Sequence, residues 1–244
     1  MTPAIRPHNA PTHRLMRAWL ALALCTLAWD ASGLDLPVMR LIGTPEGFPW
    51  QHHPLLEQVL HNGLRQLAWV AFGLLLVWAL RKDPALCSAA PSQRERLAVL
   101  VLVTLAVLTI NAIKWNSRTS CPWDWTAFGG PVPYVSHWNL FAVDGGSGRC
   151  FPGGHASSAL AFVPLCLPWL WSPSGTRRPA TGIGWLAGVL LAGLVAGGAQ
   201  TLRGAHPPSH TLWTALICGG VALAGWRLAM PWLRAGSVQR AVTP

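Results

Sequence analysis

Three short stretches hold the chemistry-bearing side chains of a chain that is otherwise 52% hydrophobic and only 11% charged. "KWNSRTSCPW" (114–123) sets Lys114 and Arg118 four residues apart. "RCFPGGHASS" (149–158) puts His155 directly after Pro152-Gly153-Gly154, and "RGAHPPSH" (203–210) carries Arg203, His206 and His210. A neutral imidazole can attack phosphorus or move a proton near pH 7. Lysine and arginine offset the charge that builds on phosphoryl oxygens. A glycine turn lets backbone N–H groups converge on an anion, and a following helix start adds partial positive charge. Taken singly, each stretch also has a plain reading: snorkelling cations, a glycine turn, histidines satisfied by local hydrogen bonds. Together they predict a metal-free phosphoryl-transfer site. Among His155, His206 and His210, one would attack phosphorus and another would protonate the leaving oxygen. Lys114, Arg118, Arg203, Gly153 and Gly154 hold the phosphate.

Metal chemistry finds little support in the sequence. Asp124 and Asp144 are the only acids between 114 and 210, too few for a divalent-cation cluster. A zinc-protease His-Glu-x-x-His helix would need glutamate where Pro207 stands. Pro207 and Pro208 read instead as the first turn of a helix. Neither a metal nor a cofactor is expected.

The elements that position these residues follow from composition. Ordinary soluble domains are about a quarter charged, well above this chain. Fifteen tryptophans against one tyrosine suit a protein anchored at bilayer interfaces. The net charge of +10 does not imply nucleic acid, because the basic residues flank apolar segments and form no stripe. An all-α bundle of six transmembrane helices is predicted, over roughly 15–32, 63–80, 97–113, 155–172, 182–200 and 210–230. Residues 1–33 also resemble a secretory leader, but the long stretch before the apolar run favours a retained helix. Segment 34–62 is expected as an interfacial helix around "HPLLEQVLHNGL". The chain reads as one domain over 1–244, with 1–14 and 235–244 as disordered tails.

Placing both termini in the cytoplasm puts twelve of the 18 Lys and Arg residues inside, as the positive-inside rule prefers. The loop 114–154 and the turn 201–209 then emerge on the outer, periplasmic face of a bacterial inner membrane. Cys121 and Cys150 share that loop, where an oxidising compartment would join them in a disulfide.

The same residues resemble the signature of the type-2 phosphatidic acid phosphatases, whose superfamily includes the vanadium haloperoxidases. That signature reads K-x6-R-P, P-S-G-H and S-R-x5-H-x3-D, and the resemblance covers roughly 96–230. Lys114 matches the leading lysine and Pro122 the closing proline, but Cys121 stands in the arginine's place. Pro152, Gly154 and His155 match the second motif, with Gly153 for serine. His206 falls on the nucleophile, His210 replaces the aspartate and Gln200 the arginine, with Arg203 three residues on. The resemblance thus implies that His206 attacks, His155 protonates the leaving oxygen and His210 orients His206. The resemblance implies a six-helix membrane lipid phosphatase. It would hydrolyse a lipid phosphate monoester or diphosphate through a phosphohistidine, with the membrane and its lipid as partners and no nucleic acid. The altered motif arginines leave two other readings open: a catalytically impaired lipid-binding or scaffold relative, and a lipid phosphotransferase. A haem-binding electron carrier is a further alternative from a different class.

Overall fold

Inside a hydrocarbon layer every backbone N–H and C=O must be satisfied within its own segment, so long apolar runs fold as helices. The computed structural model describes residues 10–82, 90–139, 142–173 and 178–242, and among them there is no strand. Eight α-helices are assigned: α1 Ala10–Ser32, α2 Asp35–Arg40, α3 Leu64–Leu80, α4 Gln93–Asn116, α5 Gly154–Leu160, α6 Leu167–Leu170, α7 Pro179–Leu202 and α8 Pro208–Val242. A π-helical segment, Leu55–Gly63, runs directly into α3.

Four of these stretches are long and apolar enough to cross a membrane: Leu55–Leu80, Gln93–Asn116, Pro179–Leu202 and Pro208–Ala235. The expected first span is a helix of 23 residues, α1, but it is not among those four. The expected fourth is a shorter apolar unit, Gly154–Leu170. Pro164 and Pro168 lack the N–H a helix interior needs, and a 3-10 turn at Val163–Cys166 separates α5 from α6. Of the segment 34–62 expected on the interface, Asp35–Arg40 forms α2, and Leu55 onward runs into the stretch Leu55–Leu80 that is long and apolar enough to cross a membrane. Helix α1 starts at Ala10 and α8 reaches Val242, and the remaining parts of the expected tails, 1–9 and 243–244, lie outside the described residues.

The main core joins α4 and α8. Val99, Leu102, Val103, Ala106 and Ile110 meet Cys218, Ala222 and Trp226, all buried. The fully enclosed Trp226 indole donates to the Trp171 carbonyl at 2.9 Å, so its one polar atom is paired. Glycine allows close approach: a Cβ on Gly225 would sit 2.1 Å from Leu102, and one on Gly193 2.5 Å from Leu160.

Helices α4 and α7 end where the π-helical segment, α5 and α8 begin. All three polar stretches therefore collect at one end of the bundle. A second, smaller core of Met39, Phe48, Trp125, Phe128 and Val132 roofs that end. At the opposite end a capping box starts α4: Ser92 Oγ accepts the Glu95 N–H at 3.2 Å, and Glu95 Oε2 accepts the Ser92 N–H at 2.7 Å.

Candidate active site

His206 sits in the bend between α7 and α8. Gly204 makes the bend possible with φ +76, and a Cβ there would lie 2.2 Å from the Phe48 ring. The Gln200 carbonyl then accepts the Ala205 N–H at 2.9 Å and that of His206 at 3.4 Å. The imidazole is buried. Its Nδ1 lies 3.3 Å from His210 Nδ1 and 3.4 Å from Cys150 Sγ. One of the two imidazole nitrogens must carry the proton for that pair to bond. Nε2 has no hydrogen-bond partner among the described residues. Burial first, then the neighbouring His210 and Lys114, hold His206 well below the ordinary histidine range.

His210 lies one turn into α8, also buried, against Phe151 and His137, with ring centroids 5.2 and 5.6 Å away. His155, the second residue of α5, stacks on His61 of the π-helical segment, centroids 3.8 Å apart. Lys114, in the last turn of α4, lays its stem over Gly154: a Cβ there would meet Cδ and Cε at 3.5 Å and Nζ at 3.8 Å. Its ammonium is close enough to act electrostatically on His155, His206 and His210. His206, His210, His155, Lys114 and Gly154 thus stand together.

Three other expected contributors are placed differently. Helix α4 stops at Asn116, and Ser117 is extended, so Arg118 leaves the face that Lys114 occupies. It is exposed and lines a separate cavity of about 390 Å³ with Ser117, His137 and Phe151. Arg203 stands close enough to act electrostatically on His61 and His155, but its guanidinium is committed to protein partners. Its Nε donates to the Gln51 carbonyl at 2.8 Å, one terminal nitrogen lies 3.5 Å from Gln200 Oε1, and the other lies 3.3 Å from Glu57 Oε1. The Gly153 N–H is likewise used, donating to the His210 carbonyl at 3.2 Å, while Thr214 Oγ1 donates to the Gly153 carbonyl at 3.1 Å. Gly153 therefore ties α5 to α8 and does not aim its N–H at an anion.

Cys121 and Cys150 stand as a disulfide, with Cα atoms 5.1 Å apart. Together with His206 their ligand atoms lie within 4.8 Å of one another. Sulfurs bonded to each other are not thiolates, the form that ligates metal. The two loop acids are occupied as well: Asp144 accepts from Ser120 and Gly146, and Asp124 from Ser147.

Sequence reasoning passed over two acids and a histidine that brace the site. Asp30 Oδ2 accepts from Trp213 Nε1 at 2.6 Å and Trp138 Nε1 at 2.9 Å, and lies 3.3 Å from His137 Nε2. Asp35 accepts the Ser209 N–H at 3.1 Å, the Ser209 hydroxyl, and Trp29 Nε1 at 2.8 Å. Ser209 lies between the two α8-side histidines, so α2 fixes the start of α8. His137 stacks flat on Phe151 at 4.3 Å, and burial lowers its pKa although Asp30 opposes the shift. The available signal was the acids themselves: ionisable groups are rare beside apolar helices unless they have partners.

A helical membrane-protein frame that gathers three imidazoles and a lysine at one end defines a class, a site able to handle an anion without a carboxylate cluster. Residues 96–234 match the model of the PAP2 superfamily, and the chain belongs to that family. Membership implies a phosphatase acting on phosphoesters. No curated protein and no solved structure matches the chain.

Proposed function

We propose that the protein is a phosphatidic acid phosphatase-type enzyme that hydrolyses a lipid phosphate monoester or lipid diphosphate through a phosphohistidine. The observation that carries this reading is the His206 ring, whose polar contacts all fall on Nδ1. With Nδ1–H donating to His210, the Nε2 lone pair is left for phosphorus. Nε2 attacks, the bond from phosphorus to the leaving oxygen breaks, and His155 gives that oxygen its proton. The bound phosphate dianion beside His155 supplies the negative charge that draws a proton onto its ring. Water then cleaves the P–N bond, with His155 taking the water's proton. Lys114 stabilises the equatorial oxygens. His210 does for His206 what a carboxylate does in the family motif, with weaker polarisation.

A lipid substrate is supported by an apolar groove of about 470 Å³ between α3 and α4. It runs from Arg65, Gly154 and Ser157 down to Phe72, Val103 and Phe162. The distribution of Lys and Arg supports an inner-membrane protein with cytoplasmic termini and the site facing the periplasm.

The test is phosphate release by purified protein from a panel of phosphatidate, phosphatidylglycerol phosphate and polyprenyl diphosphate, with and without chelator. Release that persists in chelator and falls by at least about a thousandfold in His206→Ala is expected. Unchanged hydrolysis in His206→Ala overturns the assignment. Phosphate binding without release by the wild type points to the scaffold reading.

A further inference from the structure

The family motif provides two arginines that this chain replaces with Cys121 and Gln200. Of the nearest substitutes in sequence, Arg118 faces another cavity, and Arg203, though near enough to act electrostatically on His155, is bound to Glu57, Gln51 and Gln200. With Lys114 and an Arg203 whose donors are already engaged, a phosphoryl site would be short of donors that can grip two oxygens at once.

Two residues outside the matched region stand at the same end of the bundle. His61, near the close of the π-helical segment, lays its ring against His155, with centroids 3.8 Å apart and planes 32° from parallel. Arg65 follows four residues later, in the first turn of α3. It lines the head of the α3/α4 groove together with Gly154 and Ser157. The side chain is exposed and makes no ion pair or hydrogen bond among the described residues. It is also close enough to act electrostatically on both His61 and His155.

Spacing makes this a continuous face. Glu57, His61 and Arg65 recur every four residues along one helical span. Glu57 is engaged by Arg203, which leaves the Arg65 guanidinium un-neutralised. π-Helical turns are rare and are frequently found at functional sites. Here the widened turns put an imidazole on His155 and a guanidinium at the point where an anionic head group would enter from the groove.

Resting on the hydrolase reading above, we propose that this helical face is a third wall of the active site. Arg65 binds the phosphate in place of the missing motif arginines, and His61 is a positioning residue that holds the His155 ring by stacking. The wall lies outside residues 96–234, in the N-terminal half of the chain.

The test uses the full chain in detergent, with inorganic phosphate as the binding probe and phosphatidate in mixed micelles as substrate. Arg65→Gln should weaken phosphate binding, read by calorimetry, and raise KM, each by about tenfold or more, the worth of one charge-assisted hydrogen bond. Arg65→Lys should recover part of both. His61→Ala should lower kcat by about tenfold with KM nearly unchanged, and His61→Phe, which can still stack, should restore most of the rate. Unchanged phosphate affinity and KM in Arg65→Gln overturn the Arg65 assignment. A His61→Phe variant as slow as His61→Ala overturns the stacking role. A wild type that binds phosphate but releases none from any lipid defeats the hydrolase reading alone. In that case weakened binding in Arg65→Gln still supports this wall, and a wild type that does not bind phosphate overturns it.

Discussion

His206 is a buried imidazole whose surroundings oppose a proton. That has a consequence for stability. The unfolded residue takes up a proton below about pH 6.5, the ordinary histidine value, whereas the folded one does so only at much lower pH. Protonation therefore favours the unfolded chain, and stability falls as pH drops below about 6.5. His137 is shifted in the same direction by burial and adds to the effect. The thermal midpoint is expected to fall between about pH 7.5 and pH 5, with a shallower fall in His206→Gln, which removes one of the titrating rings. A midpoint that is flat or rising over that range contradicts the burial of these groups.

At the scale of the elements, two devices hold the segments at the site end of the bundle in place. The first is the α7/α8 bend. Gly204 occupies positive φ and has no room for a Cβ beside Phe48. Gly204→Ala should lose about 1–3 kcal/mol from the backbone strain alone, more if Phe48 cannot move, and should lower activity by displacing His206. Thermal melts and phosphate release on the same preparation separate the two effects. The second is the Cys121–Cys150 link, which joins residues 29 apart. In the chain-entropy view a loop of that length is stabilised by about 3–4 kcal/mol. Reduction, or Cys121→Ser with Cys150→Ser, should lower the thermal midpoint by several degrees, and free thiols at both positions in native protein would remove the premise. Because Cys150 also touches His206, the double variant should slow hydrolysis as well as destabilise.

For the whole molecule, the deciding feature is where the groove meets the site. Gly154 is shared between the α3/α4 groove and the Lys114 contact, so on the proposed lipid reading an acyl chain in the groove would bring its phosphate towards the imidazoles. Val107 lies along that path. Val107→Trp should fill part of the cavity and lower the ratio of kcat/KM for long-chain over short-chain phosphatidate by about tenfold, as expected for losing a few buried methylenes. An unchanged ratio would mean that the tails lie elsewhere, such as the neighbouring apolar cavity of about 350 Å³ beside Leu67, Ala68 and Trp185.

Residue types and spacing alone determined much of this protein. Apolar runs specify helices because backbone groups in hydrocarbon have no other partner. The spacing of Lys114, His155, His206 and His210 points to phosphoryl chemistry, because imidazole and ammonium at helix ends are costly without a purpose. Sequence could not decide which cations stand free beside the imidazoles. Arg118 and Arg203 sit at inviting positions along the chain, yet α4 ends before the one, and Glu57 and Gln51 claim the other. Nor could it show that Asp30 and Asp35 brace the loop and the start of α8, or that the π-helical segment brings His61 and Arg65 to the same end. Those outcomes depend on contacts between segments as far as 183 residues apart. Periodicity reports which face of a helix is apolar. Only the packing of helices against one another sets which polar groups on different segments come within hydrogen-bond or Coulomb range.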